Sequence, residues 1–408
     1  MNKKILAATI AAFVAGPTAA LAANDVTVYG VVHASVDYLD SDNDGIDGWD
    51  VASRATRLGF KGTEDLSNGL KAIWKMEFQV DIADAGTTAD LQKDLTSLLA
   101  ATTDSQAEKA VSSINKTTAS LLGSPTVAQG GSTGSTVNQK DDLVSARNMY
   151  IGLAGGFGTF LVGRHDTPYK MSTGSLDLFS DTLADYNSTL LMTDIRTGSA
   201  LAYVSPNWGG FTLSLAGVLP HVYQDAVTYK TAAGATLLTT DSVDADGMEA
   251  YSIAAVYNAN GFFASAAYES ISSDWLSAWT KVGGGVLTED DTKYRLGLGY
   301  TGGGFTVGAI WEDHSDVLGV EGRDKQAWQI SAGYTFGNNM VKAMYGQVEW
   351  DGAFGDLDQD AWAIGLDHNL SKRTKAYMLY TDVDRDDVSG ATISSDVSGF
   401  SVGMIHSF

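Results

Sequence analysis

The sequence predicts an all-β fold, a transmembrane antiparallel β-barrel of about 16 strands with short periplasmic turns and long external loops. Three observations predict it. Many segments alternate apolar and polar residues with a period of two, and the connections between them are by turns short and long. Past residue 22 no stretch reaches the ~18 consecutive apolar residues of a membrane helix, although 44% of residues are hydrophobic and 45 are glycine.

At the amino-terminal end, Lys3 and Lys4 precede an apolar run from Ile5 to Val14, and Ala20-Leu21-Ala22 offers a small-x-small cleavage site. The run is too short for a membrane span and is followed by Gly16, Pro17 and Thr18. Residues 1–22 are therefore expected to be a secretory signal peptide, and residues 23–408 the barrel domain. Losing Lys3 and Lys4 takes the formal charge from -23 to -25. So acidic a chain makes nucleic acid and anionic membrane surfaces poor partners. There are no cysteines, which excludes a disulfide framework and a thiolate metal site. No cofactor is expected.

The strands follow. Between Leu70 and Asp81, Leu70, Ala72, Trp74, Met76, Phe78 and Val80 face one way, while Lys71, Lys75, Glu77, Gln79 and Asp81 face the other. Phe211-Leu213-Leu215, Tyr251-Ile253-Ala255-Tyr257, Tyr294-Leu296-Leu298-Tyr300 and Phe305-Val307-Ala309-Trp311 repeat the apolar series against small or polar neighbours. Short clusters rich in Gly, Asn or Ser stand at Asp65–Gly69, Gly155–Gly158, Asn207–Gly210, Asn258–Gly261, Gly302–Gly304, Gly337–Asn339 and Asn369–Lys372, as tight turns require. Longer polar connections lie near residues 40–53, 82–146, 166–195, 220–248, 271–291, 314–324, 351–359 and 383–397. A soluble sandwich shares the composition, but this alternation of short and long connections fits an even-stranded barrel, which also removes exposed sheet edges. Phe211, Tyr257, Tyr300 and Phe408 share a position near the short turns, as an aromatic girdle would.

In the last segment Phe400, Val402, Met404, His406 and Phe408 fall on one side, and Ser401, Gly403, Ile405 and Ser407 on the other. It looks like the closing strand of a bacterial outer-membrane barrel. That resemblance implies that Phe408, with His406, forms the signal read by the barrel assembly machinery.

Over most of its length the chain resembles the Gram-negative general porins. The resemblance is carried by Asp25-Val26-Thr27-Val28-Tyr29-Gly30, by Arg57-Leu58-Gly59-Phe60-Lys61-Gly62 with Glu64 and Asp65, by Tyr150-Ile151-Gly152-Leu153 through Gly163-Arg164, and by the final His406-Ser407-Phe408. It implies a water-filled barrel in the outer membrane, a homotrimer set among outer-membrane lipid and lipopolysaccharide, whose third loop folds inward and narrows the pore. That loop would run from about Asp166 to Ile195 and carry Asp177, Asp181 and Asp185. The basic residues set opposite would be Arg57, Arg147 and Arg196, with Lys71, Lys75 and Arg164 in second rank. By parity Arg57 shares a face with Gly59 and Lys61, and Arg196 opposes Leu201 and Tyr203, so both are expected to face the lumen, while Arg147 shares its parity with Met149.

Guanidinium groups facing carboxylates set a field across a narrow polar pore, which orients dipolar solutes and disfavours apolar ones. Passive diffusion of small hydrophilic solutes and ions is thus the expected function, with a mild cation preference from Asp177, Asp181 and Asp185 near the narrowest point and from the acidic loops at the mouth. A substrate-selective channel is the alternative, and a barrel enzyme a distant one. The six histidines, His33, His165, His221, His314, His368 and His406, are scattered, and His165 beside Asp166 reads as a loop anchor. Asp40, Asp42 and Asp44 begin a D-x-D-x-D-G pattern, but Val51 stands where a calcium loop needs Glu, so a solvated acidic loop fits better and no metal is expected. In the insertion 82–146, Leu91, Leu95, Leu98 and Leu99 have helical spacing and residues 129–136 form a Gly/Ser/Thr tract; a rim-packing cap and a surface insertion both fit.

Overall fold

A two-residue period sends successive side chains to opposite faces, and this chain gives each face its own environment. The computed structural model describes residues 25–41, 47–83, 144–219, 228–230, 236–239, 248–273, 276, 288–352, 357–385 and 396–408. In chain order the strands are β1 (Asp25–Ser41), β2 in two segments (Asp47–Ser53 and Arg57–Ser67), β3 (Leu70–Val80), β4 (Val144–Gly155), β5 (Gly158–Asp166), β6 (Arg196–Val204), β7 (Phe211–Val218) and β8 (Ala250–Ala259). There follow β9 (Phe262–Ile271), β10 (Asp291–Gly302), β11 (Phe305–Ser315), β12 (Asp324–Phe336), β13 (Asn339–Asp351), β14 (Leu357–Asn369), β15 (Thr374–Arg385) and β16 (Val397–Ser407). The two segments of β2 pair with the two halves of β1, so they form one strand interrupted at residues 54–56. Each strand pairs antiparallel with its neighbours, and β16 pairs with β1 from Ser41↔Val397 to Val31↔Ser407. The sheet is a closed barrel of 16 strands.

All the short turns expected from the sequence join consecutive strands. Two of them have the geometry that favours their residues: Asn260-Gly261 (φ 54 and 82) and Gly303-Gly304 (φ 61 and 88) are left-handed at both central positions, as two-residue hairpin turns demand. The connection expected over 40–53 is shorter, because Asp47–Ser53 continues the ladder along β1. Of the insertion expected over 82–146, residues 144–146 belong to β4 and residues 84–143 lie outside the described residues, as does the expected signal peptide. A short antiparallel pair, Thr228–Lys230 with Thr236–Thr239, stands within the 220–248 connection.

The outward face is apolar: Val26, Ile151, Leu298, Ile330, Ile364 and Met404 are all more than half exposed. At that face, aromatic side chains on neighbouring strands stack into two belts. Phe160–Tyr203, Phe262–Tyr300 and Phe305–Tyr334, with ring centroids 4.8, 5.0 and 4.7 Å apart, lie near the short turns, together with Phe211 and Tyr257. Tyr268–Tyr294 (4.7 Å), Trp328–Tyr345 (5.5 Å), Trp362–Tyr380 (5.4 Å) and Tyr38–Trp49 (5.2 Å) lie toward the long-loop end. An apolar band between two aromatic girdles is the surface a bilayer requires.

Candidate functional site

The connection from β5 to β6 turns into the barrel. Two single-turn helices shape it, α1 (Pro168–Met171), capped by Thr167, and α2 (Tyr186–Thr189), capped by Asp185. Its apolar side chains rest on inward-facing glycines of the far wall. A Cβ on Gly297 or Gly299 of β10 would stand 2.8 or 2.6 Å from Leu176, one on Gly346 of β13 2.5 Å from Leu190, and one on Gly399 of β16 2.6 Å from Leu183. A side chain at any of these positions would press on the leucines that seat the loop.

The loop's backbone is met by donors from the same wall. Lys325 donates to the Leu191 carbonyl (2.7 Å), Lys342 to that of Leu178 (2.6 Å), Gln359 to that of Thr189 (2.6 Å) and Ser331 to that of Leu176 (2.9 Å). Arg295, fully buried, donates to Asp194 (2.7 Å) and Thr173 (3.2 Å), pairs with Glu312, and lies over the Tyr169 ring. It thus holds the start and the end of the loop together. Hydrogen bonds to charged groups, shielded from water, are the strong ones.

The loop therefore occupies the side of β8–β16, and the inward faces of β2–β6 confront it. There Arg57 stands 3.7 Å from Asp181 at the loop tip. Arg147 donates to Glu77 (3.0 Å) and Gln79 (2.9 Å), and Lys75 pairs with the same Glu77 (3.0 Å). Arg196 pairs with Asp166 (2.9 Å) and donates to Asn148 (3.1 Å). Lys71 pairs with Asp65 near the short-turn end (3.5 Å), and Arg164 lies at the register break of β5, two residues before Asp166. His165 donates to the Asp166 carbonyl (2.6 Å).

The three loop acids behave differently. Asp177 is buried and accepts from the backbone N–H groups of Phe179 (2.9 Å) and Tyr186 (3.5 Å). Asp185 accepts from Asp181 N–H (2.6 Å) and Asn187 N–H (2.8 Å). Burial first, and then the charge of Asp185, holds the Asp177 carboxyl well above the usual carboxylate range. Burial likewise pushes Asp185 up to about 6. Asp181 is exposed at the loop surface, with its backbone left-handed (φ 60).

Sequence reasoning missed Arg54, which sits in the interruption of β2 and pairs with Asp37 of β1. It also missed the glycine seat. The signal for the seat was present in the inward parity of Gly297, Gly299, Gly346 and Gly399, opposite an apolar stretch from Leu176 to Leu190. The terminal contacts are direct: Phe408 N–H donates to the Gly30 carbonyl (3.1 Å), and Gly30 N–H to that of Phe408 (3.2 Å). His406 is exposed and hydrogen-bonded to Thr374 (2.9 Å). Asp40 is an exposed residue of β1, whereas Asp42 and Asp44 lie outside the described residues. Among the described residues no three His, Cys, Asp or Glu side chains are grouped to hold a metal.

Comparison with known proteins matches residues 7–388 to a family model described as Gram-negative porin. Major outer membrane protein P.IB of Neisseria sicca is 25% identical, with 92% of each chain covered. The Neisseria lactamica protein of the same name is also 25% identical, covering 100% of both. Among solved structures, the anion-selective porin from Comamonas acidovorans superposes with a TM-score of 0.61 at 21% identity, covering 94% of this chain and 100% of that one. OmpT, an outer membrane protein of Vibrio cholerae, superposes with a TM-score of 0.59 at 14% identity, covering 96% and 99%.

Proposed function

Because the chain belongs to the Gram-negative porin family and resides in the outer membrane, we propose that it is a water-filled channel through which small hydrophilic solutes and ions diffuse down their gradients, with no covalent step. The observation that carries this reading is the inward face of β2–β6, where Arg57, Arg147 and Arg196 confront a loop packed on the opposite wall. Charged groups there keep water ordered across the lumen and tax any solute that cannot replace it.

The acid–base balance at this narrow zone decides its sign. Charges within a Debye length, ~8 Å at physiological salt, act on a permeating ion, and more distant ones are screened. Asp177 and Asp185 are engaged by the loop's own backbone, and Asp177 is favoured in its neutral form, so Asp181 is the acid that the loop presents directly to the arginines. Glu77 is shared by Lys75 and Arg147, and Asp166 by Lys170 and Arg196. Cations therefore outnumber carboxylates, and the reading becomes a mild anion preference at the narrow zone rather than the cation preference expected from the three loop acids and the acidic mouth.

A substrate-selective channel would need an ordered site for one solute, but Tyr29, an inward aromatic along this wall, is tied to Glu77 (2.7 Å) and lies beside Lys61 and Lys75. The relatives are porins, and an enzyme has no support from them. A homotrimer, lipopolysaccharide around the barrel and the assembly machinery as insertion partner belong to the same reading, supported by family membership and by the Phe408–Gly30 closure. Reconstitution in planar bilayers tests it. Conductance that scales with bulk conductivity above 1 M KCl is the diffusive outcome; current that saturates with one solute would transfer the reading to a selective channel.

A further inference from the structure

The charges along the channel axis are not evenly mixed. In the half of the barrel nearer the short turns, the inward side chains are chiefly lysines. Lys342 and Lys375 share the single carboxylate of Asp367, at 3.1 and 2.9 Å. Lys61, which is exposed, and Lys75 lie 5.2 and 5.6 Å from the centre of the Tyr29 ring, Lys75 sharing Glu77 with Arg147 of the narrow zone, and Lys71 is matched by Asp65 at 3.5 Å. Asp65 matches one lysine, Asp367 serves two, and Lys75 has only a share of Glu77, so this half carries a positive surplus. Just beyond the barrel strands at the other end the sign reverses: Asp81, Glu249, Asp290, Asp316, Glu321 and Asp396 stand there, and among the described residues, the inward loop aside, the bases beyond the barrel strands at that end are Lys230 and Arg323.

The two zones are separated by more than the range of screening. Lys375 pairs with Ile405 in register, and Asp396 lies nine residues further along β16 and its approach. At ~3.3 Å per residue and a strand tilt of roughly 40°, that is about 23 Å along the axis. The Debye length is ~10 Å at 0.1 M salt and ~3 Å at 1 M. At 0.1 M each zone thus sets its own local ion population, cations at the acidic external mouth and anions in the basic periplasmic half.

From this axial separation of charge we infer that the channel is a rectifier, passing more current when the external side is positive. In that polarity cations enter from the mouth that enriches them and anions from the half that enriches them, and both accumulate at the junction, which raises conductance. In the opposite polarity each ion is drawn away from the junction and the pore is depleted of carriers. The inference rests on the aqueous channel proposed above and adds a direction to it.

The test uses the full chain in planar bilayers at ±50 mV. Because the chain contains no cysteine, a single Asn338→Cys on a short turn, labelled with a membrane-impermeant thiol biotin and blocked by streptavidin from one side, reports orientation. The expected result at 0.1 M KCl is a current about 1.5-fold or more larger with the external side positive, falling to near equality at 1 M. The double variant Lys61→Gln, Lys375→Gln should bring the 0.1 M ratio toward unity while keeping the 1 M conductance, and Lys61→Arg, Lys375→Arg should retain the ratio. A symmetric current at 0.1 M, the opposite polarity, or a ratio unmoved by the glutamine pair would overturn the inference. A folded, heat-modifiable barrel without conductance would instead overturn the channel reading beneath it.

Discussion

Arg147 reaches the lumen because the pairing of β3 with β4 slips at Glu77: Met76 faces Met149, but Phe78 faces Ala146, so Arg147 and Asn148 together oppose one residue. A bulge of this kind re-aims a side chain that strict alternation would send to the lipid. Arg54 owes its place to a comparable break in β2. The residue scale also singles out Asp181 among the loop acids. A unit charge ~8 Å from the ion path in water, screened at physiological salt, is worth about 0.2 kcal/mol to each ion with opposite sign for anions and cations, so Asp181→Asn should raise the anion-to-cation permeability ratio roughly twofold. Zero-current potentials in a salt gradient should then move for Asp181→Asn most of the way that they move for the triple Asn variant at Asp177, Asp181 and Asp185, the small remainder coming from Asp185. A triple shift much larger than the single would mean that the other two acids also face the ions. Acidity adds a second expectation. Asp185 prefers its neutral form, so its contribution to loop stability is full below the ordinary carboxyl range and declines as pH rises through about 6. As pH falls from 7 to 5 the loop loses negative charge, and the zero-current potential should shift toward anions, by less in Asp185→Asn. The inward parity of Arg57 and Arg196 was legible from alternation alone. Arg147 and Arg54 were not, because a pairing slip is a property of two strands together and leaves no mark in either one.

At the scale of elements, strands and short turns were readable because each carries a local rule: a period of two, or a left-handed pair such as Asn260-Gly261. The seat of the inward loop was not, because it depends on glycines from β10, β13 and β16 that come together only after closure. The long insertion gives a direct check on the element boundaries. Val80 and Val144 are cross-strand partners, so the insertion begins and ends at the same place on the barrel. Loop closure depends weakly on length, and excising residues 87–139 should leave a folded, conducting barrel with unchanged heat modifiability. Loss of membrane-inserted protein would mean that the excised residues contribute wall. At the seam, Phe408 exchanges both backbone hydrogen bonds with Gly30, and its ring occupies the space that a Cβ on Gly30 would fill. Removing Phe408 should therefore lower the amount of inserted protein several-fold, measured by the heat-modifiable band in outer-membrane fractions. Full levels would show that closure and insertion do not depend on that contact.

The whole molecule satisfies two solvents at once. Its outward face offers an apolar band between aromatic belts, and its inward face gathers the barrel's buried charge, with Arg295 and Glu312 behind the loop, and sets half-buried Arg57 against exposed Asp181 in front of it. The buried ions hold the loop to one wall, and the arginine-bearing wall lies opposite it, across what we propose is the aqueous path. On the proposed channel reading, such a path discriminates by size and charge and has no preferred ligand. The most direct measurement is the swelling rate of proteoliposomes containing the purified protein in a series of uncharged sugars of increasing mass. The rates should fall smoothly with size and rise in proportion to the gradient. A rate that saturates for one sugar, or that ignores size while favouring one stereochemistry, would contradict the account.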